Sequence, residues 1–132
     1  MLVTRETDYA LRIIRALSKG EKKTVDDISR DEQISRQFSY KILKKLQKSG
    51  FVRIIRGSGG GYVLTADVGG ITLYDVIVTI EGELLFSECL EHGFYCPMRG
   101  QGKKICGVHR ELSRIQKVFS GYLKERTLAE IF

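Results

Sequence analysis

Cys89, Cys96 and Cys106 stand in one stretch of the chain, with six and nine residues between them and with Gly93, Pro97, Gly100 and Gly102 interspersed. Thiolates are soft ligands that suit zinc or iron-sulfur clusters. Zinc sites commonly draw on two cysteines only about two to four residues apart, and this chain has no such pair. An iron-sulfur cluster, 2Fe-2S or 4Fe-4S, is the better match, because a loop rich in glycine can wrap around a compact object. Three thiolates leave one position of a four-ligand cluster to a donor from elsewhere. The alternative is a set of free thiols which, beside Arg99, Lys103 and Lys104, would act as a direct redox switch. His92, in the same loop, reads as solvated or as an outer hydrogen-bond donor.

Chemistry of a different kind sits between Ser35 and Lys48. Placed at ~100° per residue, Phe38, Ile42, Leu43 and Leu46 gather on one side of a helix, and Gln37, Tyr40, Lys41, Lys44 and Lys48 on the other. One face packs while the other is free to enter a major groove. Gln37 can pair with adenine and Lys41 can donate to guanine, whereas Lys44 and Lys48 lie where phosphates are the target. Ser35 and Arg36 stand at the helix N-terminus, whose free amides also favour phosphate. Further on, the glycine-rich tip Arg56-Gly57-Ser58-Gly59-Gly60-Gly61 would bring the Arg56 guanidinium towards a narrow minor groove, with Gly59 and Gly60 in the approach and Tyr62 packing the hairpin or touching the DNA backbone. These glycines do not lead from a strand into a helix, which argues against a nucleotide phosphate loop.

The elements that must position these residues follow from periodicity and caps. Ala10, Ile13, Ile14 and Leu17 mark an amphipathic helix that Gly20 ends. Thr24, with Asp27 three residues on, is a variant capping box for a short second helix reaching about Arg30. Ser35 caps a third helix, closed by Ser49 and Gly50; two short helices joined by a few polar residues fit a helix-turn-helix. Phe51 to Ile55 and Tyr62 to Thr65 are rich in β-branched and aromatic residues and should pair as a hairpin across the glycine tip. A short apolar helix is expected over 72–80, then the cysteine loop, then a long helix from about Val108. There Val108, Leu112, Ile115, Phe119 and Tyr122 make a heptad-like seam of about two repeats.

Charge separates the chain into halves. Met1 to Ala66 holds 14 Lys and Arg against 7 Asp and Glu, and Asp67 to Phe132 holds 8 against 9. A basic first half suits a polyanion such as nucleic acid. No apolar run approaches the ~20 residues that span a bilayer, and Met1 leads into Arg5, Glu6 and Asp8 without a signal-peptide core. The expectation is a cytoplasmic protein without membrane attachment. A metal-dependent enzyme is the remote reading, since there is no nucleotide loop, no Cys-x-x-Cys pair and no Ser/His/Asp set in a recognisable context.

Thr7-Asp8-Tyr9-Ala10-Leu11-Arg12, Ile34-Ser35 and above all Arg56-Gly57-Ser58-Gly59-Gly60-Gly61-Tyr62 resemble the Rrf-type family of winged helix-turn-helix transcriptional regulators. The resemblance runs along essentially the whole chain. It implies a mainly α fold with a small β-hairpin wing and a long dimerisation helix, divided as a DNA-binding domain over 1–66, a linking helix and sensor loop over 67–107, and a dimerisation helix and tail over 108–132, all packed as one unit. It further implies a homodimer on palindromic double-stranded DNA, with Gln37, Tyr40 and Lys41 at the base-reading positions and Arg56 as the minor-groove arginine. For the cluster's fourth ligand it points to His109, as in one branch of the family, or to Asp8 of the partner subunit, as in another. The spacing of the three cysteines departs from the family's usual one, which leaves cluster size and fourth ligand open. The expected signal is redox state, nitric oxide or cluster supply; the alternative within the family is a clusterless regulator governed by a protein partner or by thiol oxidation.

Overall fold

The computed structural model describes residues 3–98 and 106–132, so Arg99, Gly100, Gly102, Lys103 and Lys104, named above for the cysteine loop, lie outside the described residues. Helix α1 spans Arg5–Leu17 and begins where the Thr4 hydroxyl accepts from the Glu6 and Thr7 amides. Such a cap satisfies donors that the first turn leaves without partners. Helix α2 spans Val25–Glu32 under the Thr24–Asp27 capping box, two residues longer than the polar run suggests. It stops at Gln33, whose φ of 53° puts a non-glycine residue in the left-handed region. The Gln33 N–H still reaches the Ser29 carbonyl, and the Ser29 hydroxyl donates to the Ile34 carbonyl at 2.5 Å. These bonds offset the backbone cost and make the sharp turn into α3, Arg36–Lys48, capped by Ser35 Oγ accepting from the Phe38 amide at 3.3 Å.

Strands β1, Val52–Ile55, and β2, Gly61–Leu64, pair antiparallel in the register Val52 with Leu64 and Ile55 with Gly61. The hairpin is not isolated: Tyr62 exchanges backbone hydrogen bonds of 2.7 and 3.0 Å with Lys23, tying the wing to the segment before α2. Helix α4, Leu73–Glu81, starts under a second capping box of Thr72 and Asp75. A 3-10 turn at Glu88–Leu90 follows, then α5, Gly107–Glu125, and a short α6, Leu128–Ile131.

Ala10, Ile13, Ile14 and Leu17 of α1 meet Ile28, Ile34, Ile42, Leu43 and Leu46 of the helix-turn-helix, with Val52 and Tyr62 from the wing and Val76, Ile80 and Leu128 from beyond it, in one buried cluster. Truncating one of the fully buried leucines would cost ~2–5 kcal/mol. Helix α6 belongs to that cluster. Leu128 is fully buried, its N–H donates to the Ile71 carbonyl at 2.7 Å, and the Ala129 N–H donates to Val68 at 3.0 Å. What reads in sequence as a tail is a staple returned onto the core.

Candidate nucleic-acid interface and metal centre

The N-terminus of α3 and the wing enclose an open groove of about 520 Å³ that gathers Arg36, Tyr40, Arg56, Gly59, Gly60 and Tyr62 with Asp26 and Ile54. Two glycines shape it for different reasons. Gly59 holds a φ of 73°, which L side chains rarely adopt. Gly60 is needed for space, since a Cβ there would lie 2.2 Å from the Ile55 carbonyl oxygen. Tyr62, placed with the DNA-contacting residues by its position after the tip, is only 8 % exposed and packs in the core. Burial pushes its phenol pKa up. The structure seats it in the core, while it also lines the groove.

Along α3, Gln37, Tyr40 and Lys44 are exposed, and Ser35 is occupied as the cap. Arg36 pairs with Asp26 of α2 at 3.3 Å and lies over the Tyr40 ring, 5.8 Å from its centroid. Phe38 departs from the expected inner face. It is 41 % exposed, its ring edge-on to Tyr9 of α1 at 5.9 Å, while Ser39 is fully buried in its place. The ideal angle puts Ser39 near the apolar stripe, but polarity alone gives no reason to seat it there. Glu6 of α1 was missed altogether. Its carboxylate accepts from Lys41 and, at 2.9 Å, from Lys45, and these two hydrogen bonds hold it below the usual carboxylate range.

The second site forms where the cysteine loop meets the start of α5. Cys89, Cys96, Cys106, His109, Phe94 and Val108 line one small, partly open cavity of about 80 Å³. An organic ligand commonly needs a pocket of ~300–1,000 Å³, so this space suits only a compact group. Among the described residues no three His, Cys, Asp or Glu side chains close to the spacing that one metal ion needs. By donor chemistry alone, three soft sulfurs and an imidazole around a shared cavity fit an iron-sulfur group. His92 is exposed and outside the cavity lining. Asp8 lies elsewhere in the same chain, paired with Arg12 at 2.8 Å on an open groove with Leu11, Arg15, Leu73 and Phe132.

Gln116 ties the approach to this cavity onto α5. Its side-chain carbonyl accepts from the Phe86 amide at 2.9 Å, and its amide donates to the Leu84 carbonyl at 2.6 Å and to Ser120 Oγ at 3.0 Å. The Phe86 ring meets Phe119 edge-on at 5.3 Å. Ser87 then caps the 3-10 turn and stands 3.3 Å from the Cys89 sulfur. A glutamine in line with Leu112, Phe119 and Leu123 was the available signal, a polar residue on an otherwise inward apolar face.

That inward face splits the single seam expected for α5. Leu112, Gln116, Phe119 and Leu123 are partly covered by their own chain, whereas Val108, Ile115, Val118 and Tyr122 form a separate exposed stripe, with Val108 and Tyr122 each 67 % exposed. None of the nineteen residues of α5 is fully buried.

A helix-turn-helix followed by a glycine-tipped wing, with a long outer helix, defines a winged-helix DNA-binding regulator. The family model described as Rrf2, iron-dependent transcriptional regulator, matches residues 3–132, and the chain belongs to that family. Its members are transcriptional regulators that bind DNA, not enzymes. The chain is similar to protein aau3 of Rhizobium meliloti, 31 % identical over 99 % of this chain and 84 % of that one. It is also similar to the transcriptional regulator NsrR of Geobacillus kaustophilus, 31 % identical over 99 % and 89 % of the two chains. A solved structure from Listeria innocua, described as a candidate transcriptional regulator, superposes with a TM-score of 0.75 at 27 % identity over 98 % of this chain and 84 % of that one. Among the described residues no helix is long and apolar enough to cross a membrane.

Proposed function

We propose that this chain is a homodimeric regulator whose hold on palindromic DNA is set by an iron-sulfur cluster bound by Cys89, Cys96 and Cys106. The observation that carries the proposal is the shared cavity of the three cysteines. The same cavity takes in His109, which supports it over Asp8 of the partner subunit as the fourth ligand. When bound, the cluster supplies a centre reactive towards oxidants and nitric oxide and dependent on iron supply. The chain's own part is mechanical. Cys106 immediately precedes α5 and His109 lies in its first turn, so the order of the loop is coupled to the position of α5. Gln116 passes the same constraint to the segment before Cys89. The exposed Val108, Ile115, Val118 and Tyr122 stripe repeats with coiled-coil spacing and supports pairing of α5 with a second copy. Two recognition helices held at ~34 Å meet successive major grooves, so small rotations of the dimer change affinity.

The test is anaerobic purification with iron and sulfide analysis and native mass measurement, on wild type, His109→Ala and Asp8→Ala in parallel. The expected outcome is an iron- and sulfide-containing dimer that His109→Ala depletes and Asp8→Ala preserves. Loss in Asp8→Ala alone would transfer the fourth position to the partner. A colourless, iron-free dimer would replace the cluster reading with a thiol switch, and equal DNA affinity with and without cluster would refute the sensing role.

A further inference from the structure

Lys41 is the recognition-helix residue best placed by sequence to reach guanine, yet it is engaged within its own chain. Glu6, in the first turn of α1, accepts from Lys41 through one carboxylate oxygen and from Lys45 through the other at 2.9 Å. Lys45 also donates to the Ile80 carbonyl at 2.9 Å, so it is anchored at the end of α4 independently of Glu6. The lysines are four residues apart on α3 and share a face. The Lys41 side chain is 54 % exposed, against 24 % for Glu6. Lys41 can leave this arrangement; Glu6 and Lys45 are held.

We propose that Glu6 is a specificity-determining residue, which keeps Lys41 neutralised on non-cognate DNA and releases it only to a base edge. The proposal rests on the reading of α3 as the recognition helix. A phosphate oxygen offers Lys41 much what the Glu6 carboxylate already offers, one charge-assisted hydrogen bond to an anion. Exchange between the two brings little net gain, and a lysine already paired internally releases no counterion from DNA. Guanine presents two acceptors, N7 and O6, to one ammonium on the floor of a groove whose phosphates also attract the charge, so a base edge adds to what a phosphate contact alone offers. Lys45 makes the exchange feasible: when Lys41 departs, Glu6 keeps one cationic partner and is not left as an unpaired, partly covered charge. With a single lysine at this position, release would strand the carboxylate. The pair of lysines turns an ordinary brace into an exchangeable one.

Removing the charge while keeping the shape tests this. Wild type, Glu6→Gln, Lys41→Ala, the double variant and Lys44→Ala, each checked for thermal stability, are measured on poly(dA-dT) duplex, which offers no guanine N7/O6 pair, between about 50 and 200 mM salt. Each is also put through binding selection and sequencing of a short duplex library with a randomised centre. Glu6→Gln is expected to steepen the salt dependence on poly(dA-dT) by ~0.9 per subunit, raise affinity there several-fold at the low-salt end, and flatten base preference at one position per half-site. In the Lys41→Ala background the same substitution should change neither readout. A Glu6→Gln chain that melts lower but shows wild-type salt slope and base preference would reduce Glu6 to a structural brace and overturn the proposal. An effect that persists without Lys41 would overturn it as well. Lys44→Ala, on the exposed face and outside the Glu6 arrangement, separates the two readings: unchanged binding of that variant refutes α3 as the DNA-contacting helix, whereas weakened binding with an inert Glu6→Gln refutes only the role of Glu6.

Discussion

Replacing Gly60 by alanine puts the wing under a load that no side-chain rotation can relieve. The added Cβ would lie 2.2 Å from the Ile55 carbonyl oxygen and 2.9 Å from that of Gly57, and both are backbone atoms. The tip must open, giving up the Gly60 N–H bond to Gly57 at 3.0 Å and loosening the Ile55–Gly61 pair. Overpacking of this kind costs ~1–3 kcal/mol and the lost hydrogen bond ~1 kcal/mol. The wing lies at the edge of the fold and can open without the core, so part of the strain is absorbed by local fraying and the melting temperature falls by ~10 °C at most. DNA binding has no such escape if the wing must close on the duplex. At ~2 kcal/mol of closing cost, affinity drops by roughly thirtyfold. Gly59→Ala is the control. It meets only open space, with Lys22 Nζ 3.9 Å away, but must hold a φ of 73°, at a cost of ~1–2 kcal/mol. The assay is thermal melting together with affinity for a duplex selected from a random library. A Gly60→Ala chain with wild-type melting and affinity, or a Gly59→Ala chain more damaged than it, would refute the reasoning.

Val118→Glu places a charge in the exposed stripe of α5 and should dissociate the proposed dimer while leaving the monomer folded, as read by sedimentation and circular dichroism. Gln116→Leu keeps the bulk but strips the Leu84 carbonyl and the Phe86 amide of their partners; amide exchange should accelerate over 84–90 and not in α1–α3. Asp27 is held down to a pKa of about 2, first by the Thr24 hydroxyl hydrogen bond, from an ordinary 3.8. Its folded value is depressed, so its stabilisation is complete above 3.8 and is lost as pH falls from there through about 2. Asp27→Asn should therefore flatten the melting temperature across that window, and an unchanged pH profile would count against the capping box.

Local order was legible because its causes are local. Thr24 and Ser35 cap their helices through atoms three residues away, the glycine tip signals a hairpin by composition, and the buried positions of α1 repeat with the helical period. The capping boxes at Thr72 with Asp75 and Thr127 with Glu130 carried the same signal and could have been read. Residues that act across long sequence distances were not legible. Glu6 to Lys41, Gln116 to Leu84 and Leu128 to Ile71 depend on which helix faces which.

The sequence by itself determined a winged helix-turn-helix with a basic first half and named three cysteines that share a chemistry, because composition, period and turn residues are properties of short stretches. Only the tertiary structure brought those cysteines and His109 around one cavity and divided the α5 seam into an inward and an exposed face. It alone set Glu6 between two lysines of the recognition helix. Those arrangements follow from the packing of α1, α3, α4 and α5 on a common core, and the direction in which a side chain leaves that core is decided by neighbours that no local pattern encodes.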